Sequence, residues 1–189
     1  MEPTASTADC ITCIFGVSPT LLTPIAIIAS ALIATGAAKV GINYQRAIAR
    51  KRATLDLILR CDETDFQKLI DEYCELRGDP AGLARYAKKS QDLSPEDLKS
   101  VAIIDRYLNY YEIVAVGIKQ DILDKETYGL WMKAGLVNDW NYARIYIADV
   151  RKLSPLNAIN FAEFETLAIE WGGEPLPPEQ TELDLESTK

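Results

Sequence analysis

The chain has 189 residues, a formal net charge of −8, 48% hydrophobic and 25% charged residues, an ordinary balance for one folded domain plus appendages. It has no histidine, which excludes Ser-His-Asp and Cys-His nucleophile systems within one chain and the common histidine-containing zinc sites. The charge is uneven: residues 39–52 carry +5, residues 53–173 carry −7, and the stretch from Glu174 to Lys189 carries −4. An acidic domain of that kind is a poor match for nucleic acid, whose affinity rests on neutralising phosphates.

Residues 1–19 read as a flexible N-terminus. They contain Cys10-Ile11-Thr12-Cys13, a C-x-x-C with no βαβ pattern around it. The two cysteines read as incidental, with a small disulfide left open if this end is exported. No charged residue occurs between Ile11 and Ala38, and thirteen of the eighteen residues 21–38 are Leu, Ile or Ala. A spanning helix needs about 20 mostly apolar residues. Residues 20–44 meet that length, with Thr23 and Pro24 as a start and Lys39 reaching back to the interface. A cleaved signal peptide would put its basic residues first. Here Lys39, Arg46, Arg50, Lys51 and Arg52 follow the apolar run instead. By the positive-inside rule the N-terminus lies outside and the rest of the chain in the cytoplasm. The alternative is that residues 18–44 are a buried helix of a soluble protein, packed inside the fold or in an oligomer.

Residues 45–173 read as a helical domain. The first helix continues to Arg60, with Ile48, Leu55 and Leu59 near one face and Leu57 and Ile58 on a broader stripe. Cys61 and Cys74 read as small apolar packing residues. Thr64-Asp65-Phe66-Gln67 has capping-box form, and Gly78 stops the helix it opens. Asp79-Pro80 begins a short helix reaching Lys89. Ser94-Pro95-Glu96-Asp97 opens the longest and most apolar helix, Leu98 to Gln120. Separate helices are expected from Asp124 to Val137 and from Asp139 to Leu153. Ser154-Pro155 restarts a last one through Trp171, ended by Gly172-Gly173. Residues 174–189, rich in proline and acids, read as a disordered tail. The fold class is therefore all-α: an N-terminal transmembrane helix followed by an irregular bundle of five to six helices.

The run IDRYLNYYEIVAVGIKQ from Ile104 to Gln120, followed by Asp121-Ile122-Leu123-Asp124, resembles the central signature of an uncharacterised bacterial family. Phe161-Ala162-Glu163-Phe164-Glu165 and Trp171 are similar to that family's closing helix. The likeness covers about residues 45–172. It implies a short protein, often membrane-anchored at its N-terminus, with an all-helical domain of unknown function. It transfers no activity and no site.

Asp105, Asn109 and Glu112 recur at spacings of four and three, on one face of the apolar central helix. Buried polar groups need partners. They form either a satisfied internal network, with Arg106, Lys119 or Arg144, or a polar pocket for a partner. A di-metal carboxylate site would need histidine at Glu-x-x-His spacing, so no metal, cofactor or catalytic residue is assigned and the chain is not read as an enzyme. Trp131, Trp140, Tyr142, Tyr146 and Trp171 read as core packing, with an exposed binding patch as the alternative.

The expectation is a single-pass protein of the bacterial inner membrane whose cytoplasmic helical domain binds another protein and needs no cofactor. A homo-oligomer is open. A chain beginning at Ala53 is expected to fold by itself. The alternatives are the soluble oligomer above and a membrane-acting effector in bacterial defence or competition.

Overall fold

A computed structural model describes residues 19–80 and 82–178. The readings of Cys10, Cys13 and the last eleven residues lie outside the described residues. The described chain holds five α-helices and three short 3-10 turns, with no strand among the described residues. It separates into two units between Ile48 and Ala49.

The first unit contains most of α1, Pro19–Arg60. The helix begins before Thr23, and Pro24 lies inside it rather than at its start. So near the end, that proline forgoes only one intrahelical bond. Residues 26–48 are almost wholly exposed, Leu32 by 69% and Ile33 by 72%. The helix from Ala26 is long and apolar enough to cross a membrane. Its polar side chains are turned inward on the backbone: Ser30 donates to the Ile27 carbonyl at 2.9 Å and Thr35 to the Ala31 carbonyl at 2.8 Å.

The second unit begins with the last three turns of α1. Their packing face is Ala53, Thr54, Leu57 and Ile58, continued by buried Cys61. Leu57 and Ile58 pack as the wider stripe suggested, but Ile48, Leu55 and Leu59 point to solvent. A polar residue set the face. Thr54 is fully buried, donates to the Arg50 carbonyl at 2.9 Å and accepts the Asp124 N–H at 2.8 Å. A chain cut at Ala53 would lose Arg50, which pairs with Asp121 at 2.6 Å.

Helix α2, Thr64–Arg77, starts one residue earlier than a Thr64 cap requires. Glu63 holds the cap position without a side-chain bond, and Gln67 donates to the Cys61 carbonyl instead of closing a capping box. Cys74 on this helix is exposed, unlike Cys61. The helix expected from Pro80 to Lys89 is two 3-10 turns, Leu83–Tyr86 and Ser90–Asp92, after Gly82 takes a left-handed φ of 65°. Leu83 and Tyr86 still reach the core.

Helix α3, Pro95–Lys119, opens as its sequence predicts: Ser94 caps it, accepting the Asp97 N–H at 3.1 Å, with Pro95 in the first position. Helix α4, Lys125–Leu153, is a single helix of 29 residues capped by Asp124. The expected break before Asp139 does not occur, because the Asp139 carboxylate is taken by side chains of other helices and caps no backbone. Ser154 ends α4 in an extended conformation. A 3-10 turn, Pro155–Asn157, then leads to the short α5, Ala162–Glu170, so the last predicted helix starts later than Ser154-Pro155. Phe161 before α5 has a left-handed φ of 59°.

The core is aromatic. Tyr73, Tyr128, Trp140, Tyr146 and Phe164 are among its largest fully buried side chains, packed with Ile104, Leu108, Leu136 and Ile147. Tyr73 stacks on Tyr107 at 4.0 Å between ring centroids, and Tyr111 on Phe164 at 5.0 Å. Beyond α5 the chain is held as far as Leu176. Trp140 Nε1 donates to the Glu174 carbonyl at 2.7 Å, the Glu174 N–H to Asn141 at 2.9 Å, and Leu176 packs on the core.

Candidate functional site

Helix α3 offers two polar faces to its neighbours. On one, Tyr107 and Tyr111, four residues apart, aim their hydroxyls at Asp139 of α4. They donate to one carboxylate oxygen at 2.7 and 2.8 Å, while Arg77 of α2 reaches the other at 2.8 Å. Asp139 is 6% exposed, so this is a buried charge that receives a cation and two hydroxyls together. Burial, then the Asp139 charge, raises Tyr107 and Tyr111 far above the ordinary phenol range, which keeps both as donors. The chemistry is structural: a satisfied knot tying α2, α3 and α4.

On the other face Asp105, Asn109 and Glu112 line one open groove of about 610 Å³. Its walls are Tyr86, Val101, Tyr146, Val150 and Phe161, and Lys88 and Lys89 lie at its edge. That volume falls within the range of small-ligand and side-chain pockets.

The three α3 residues share the groove but do not bond to one another. Asp105 accepts the Tyr146 hydroxyl at 2.9 Å. Burial lifts its carboxyl above the ordinary carboxylate range, and the Tyr146 bond offsets only part of that. No lysine or arginine pairs with it among the described residues. Glu112 accepts the backbone N–H groups of Glu163 and Phe164 at 3.3 and 2.7 Å. It therefore caps α5 from another helix, where Phe161 supplies no side-chain cap. Asn109 is exposed at the groove.

The partners expected for this face lie elsewhere. Lys119 pairs with Glu163 at 2.5 Å, outside the groove. Arg144 binds Glu174 and the Pro175 carbonyl. Arg106 is exposed. Of the basic flank, Arg50 is engaged by Asp121, and Lys39, Arg46, Lys51 and Arg52 are exposed. Of the aromatics, Trp140 and Tyr146 are buried, Trp171 stacks on Tyr128, Tyr142 lies under the Arg77 guanidinium, and Trp131 is 71% exposed.

A second groove, about 480 Å³ and mostly apolar, runs between Ala53 and Leu57 of α1, Val116 of α3, and Ile122 and Leu123 in the turn after α3. Among the described residues no three cysteine or carboxylate side chains gather as metal ligands.

Sequence reasoning missed the Arg77–Asp139 pair and the edge lysines. Asp139 did give a signal: it sits between the apolar residues Leu136, Val137 and Trp140. An acid inside a helix's apolar stripe points to a buried partner as much as to a helix start.

An all-helical domain preceded by one lone apolar helix is thus the class this chain defines. A family model described as a domain of unknown function (DUF4760) matches residues 24–171, and the chain belongs to that uncharacterised family. The match begins within the apolar helix, so it takes in part of the first unit and most of the second. No curated protein and no solved structure matches the chain.

Proposed function

We propose that this protein is a single-pass membrane protein of the bacterial inner membrane whose cytoplasmic helical domain binds a protein partner, with no catalytic role. One observation carries the reading. Residues 26–48 expose large apolar side chains along their length, and among the described residues this stretch is almost wholly exposed. Such a surface needs an apolar surrounding. A bilayer supplies one, and the inward-turned Ser30 and Thr35 hydroxyls suit it, since no water satisfies polar groups there. The basic residues after the apolar run orient the N-terminus outward. The two grooves of the second unit are the surfaces offered to a partner, and confinement to the membrane raises the local concentration near it.

Fractionation of cells expressing the full chain tests this. Retention in the membrane pellet after high-salt and alkaline washes is expected. Recovery in the soluble fraction would overturn the anchor and turn the apolar face of α1 into an oligomer interface. A chain beginning at Gln45, which keeps Arg50 and Thr54, is expected to be soluble and folded.

A further inference from the structure

We infer that the groove on α3 is a receptor for a guanidinium group, carried by an arginine of an extended peptide segment. The inference deepens the binding half of the proposed function and rests on it only for the identity of the carrier; the membrane anchor plays no part.

The groove holds a carboxylate with no cation paired to it among the described residues. Asp105 is half-buried, and among the described residues its one hydrogen-bond partner is the Tyr146 hydroxyl, which engages Oδ1. The fold knows how to neutralise a buried acid, as Arg77 does for Asp139 at 2.8 Å. At Asp105 it does not, and the open side is a cavity rather than another helix. A desolvated carboxylate facing a cavity gains most from a ligand cation, because the cost of its burial has already been met by the fold.

The pattern of acceptors favours guanidinium over ammonium. Asp105, Asn109 and Glu112 follow one another along successive turns of α3, at spacings of four and three. Each carries a carbonyl or carboxylate oxygen, and Asn109 has no partner of its own among the described residues. Glu112 is already held by the α5 amides, but a planar donor with five N–H groups can bridge the Asp105 carboxylate and the Asn109 carbonyl one turn on, whereas an ammonium is a compact point charge. The walls of Val101, Val150 and Phe161 suit the apolar stem of an arginine and its neighbours. Lys88 and Lys89, both exposed at the edge, can donate to the carbonyl groups of a peptide running past them. They also disfavour a second cation, which selects a segment with one arginine over a polybasic one.

The test is a titration of the full chain, ¹⁵N-labelled in an uncharged maltoside detergent, with acetyl-Val-Arg-Val-amide. The same peptide with lysine or citrulline in place of arginine is titrated in parallel, and so is agmatine. The expected result is shifts at Asp105, Asn109 and Tyr146 with the arginine peptide. Affinity should fall at least tenfold with citrulline, fall at least tenfold in Asp105→Asn, and stay unchanged in Lys119→Gln, which lies outside the groove. An unaltered dispersion of core resonances shows that Asp105→Asn is folded. Equal shifts from the arginine and citrulline peptides, no shifts at millimolar concentration, or full binding by folded Asp105→Asn would each overturn the inference. Agmatine binding as tightly as the peptide would uphold the guanidinium site and overturn the protein partner instead. Binding with the protein recovered in the soluble fraction would overturn the anchor alone.

Discussion

Asp139 and Asp105 are two carboxylates that the same helix helps to enclose, and the fold treats them differently. Asp139 receives Arg77 and the hydroxyls of Tyr107 and Tyr111 and is closed off from water. Asp105 receives the Tyr146 hydroxyl and opens onto a groove. A buried charge with a full set of partners fixes how helices pack; a half-buried charge with one partner contributes little to packing and retains its capacity to bind. One face of α3 therefore serves the fold and the other is available for recognition.

The largest test of that contrast is Asp139→Asn. It leaves Arg77 without its counter-charge and weakens two tyrosine hydrogen bonds, so denaturant unfolding should show a loss of about 3 kcal/mol. Next is Glu112→Ala, which uncaps α5 and should cost about 1–2 kcal/mol, with faster hydrogen exchange at the amides of Glu163 and Phe164. Retained protection at those amides would show that Glu112 belongs wholly to the groove. Ser94→Ala removes the α3 cap and should cost about 1 kcal/mol in denaturant unfolding. Lys119→Gln breaks an exposed pair with Glu163 and should change stability by less than about 0.5 kcal/mol.

Much of the fold was legible because local signals coincided. Ser94-Pro95-Glu96-Asp97 names the cap, the first-turn proline and the acids on the helix dipole, and α3 begins there. Asp124 marks the start of α4 in the same way. The signals failed where a side chain had a better use. Thr64 yielded its cap position when Gln67 turned to the Cys61 carbonyl, and Asp139 capped nothing because three groups from α2 and α3 claimed it. The inward face of α1 was misread because Thr54, a polar residue with two hydrogen-bonding partners, occupies the core side while Leu55 and Leu59 face out. The candidate site was half legible. Spacing placed Asp105, Asn109 and Glu112 on one face. It did not reveal that Tyr146 bonds the first of them, or that the last caps α5, since both contacts come from helices far along the chain.

The most direct test of the claim that Asp105 is spared by the fold is the stability of Asp105→Asn across pH. Burial raises the Asp105 carboxyl in the folded state, so the stability it contributes is full below the ordinary aspartate value, about 3.9, and is lost as pH rises through its raised folded value. Asparagine carries no such titration and can still accept the Tyr146 hydroxyl. Asp105→Asn should therefore be at least as stable as the parent chain at pH 7, and its advantage should vanish as pH falls toward 4. A loss at pH 7 comparable with that of Asp139→Asn would contradict the account, because it would make Asp105 a structural carboxylate like Asp139.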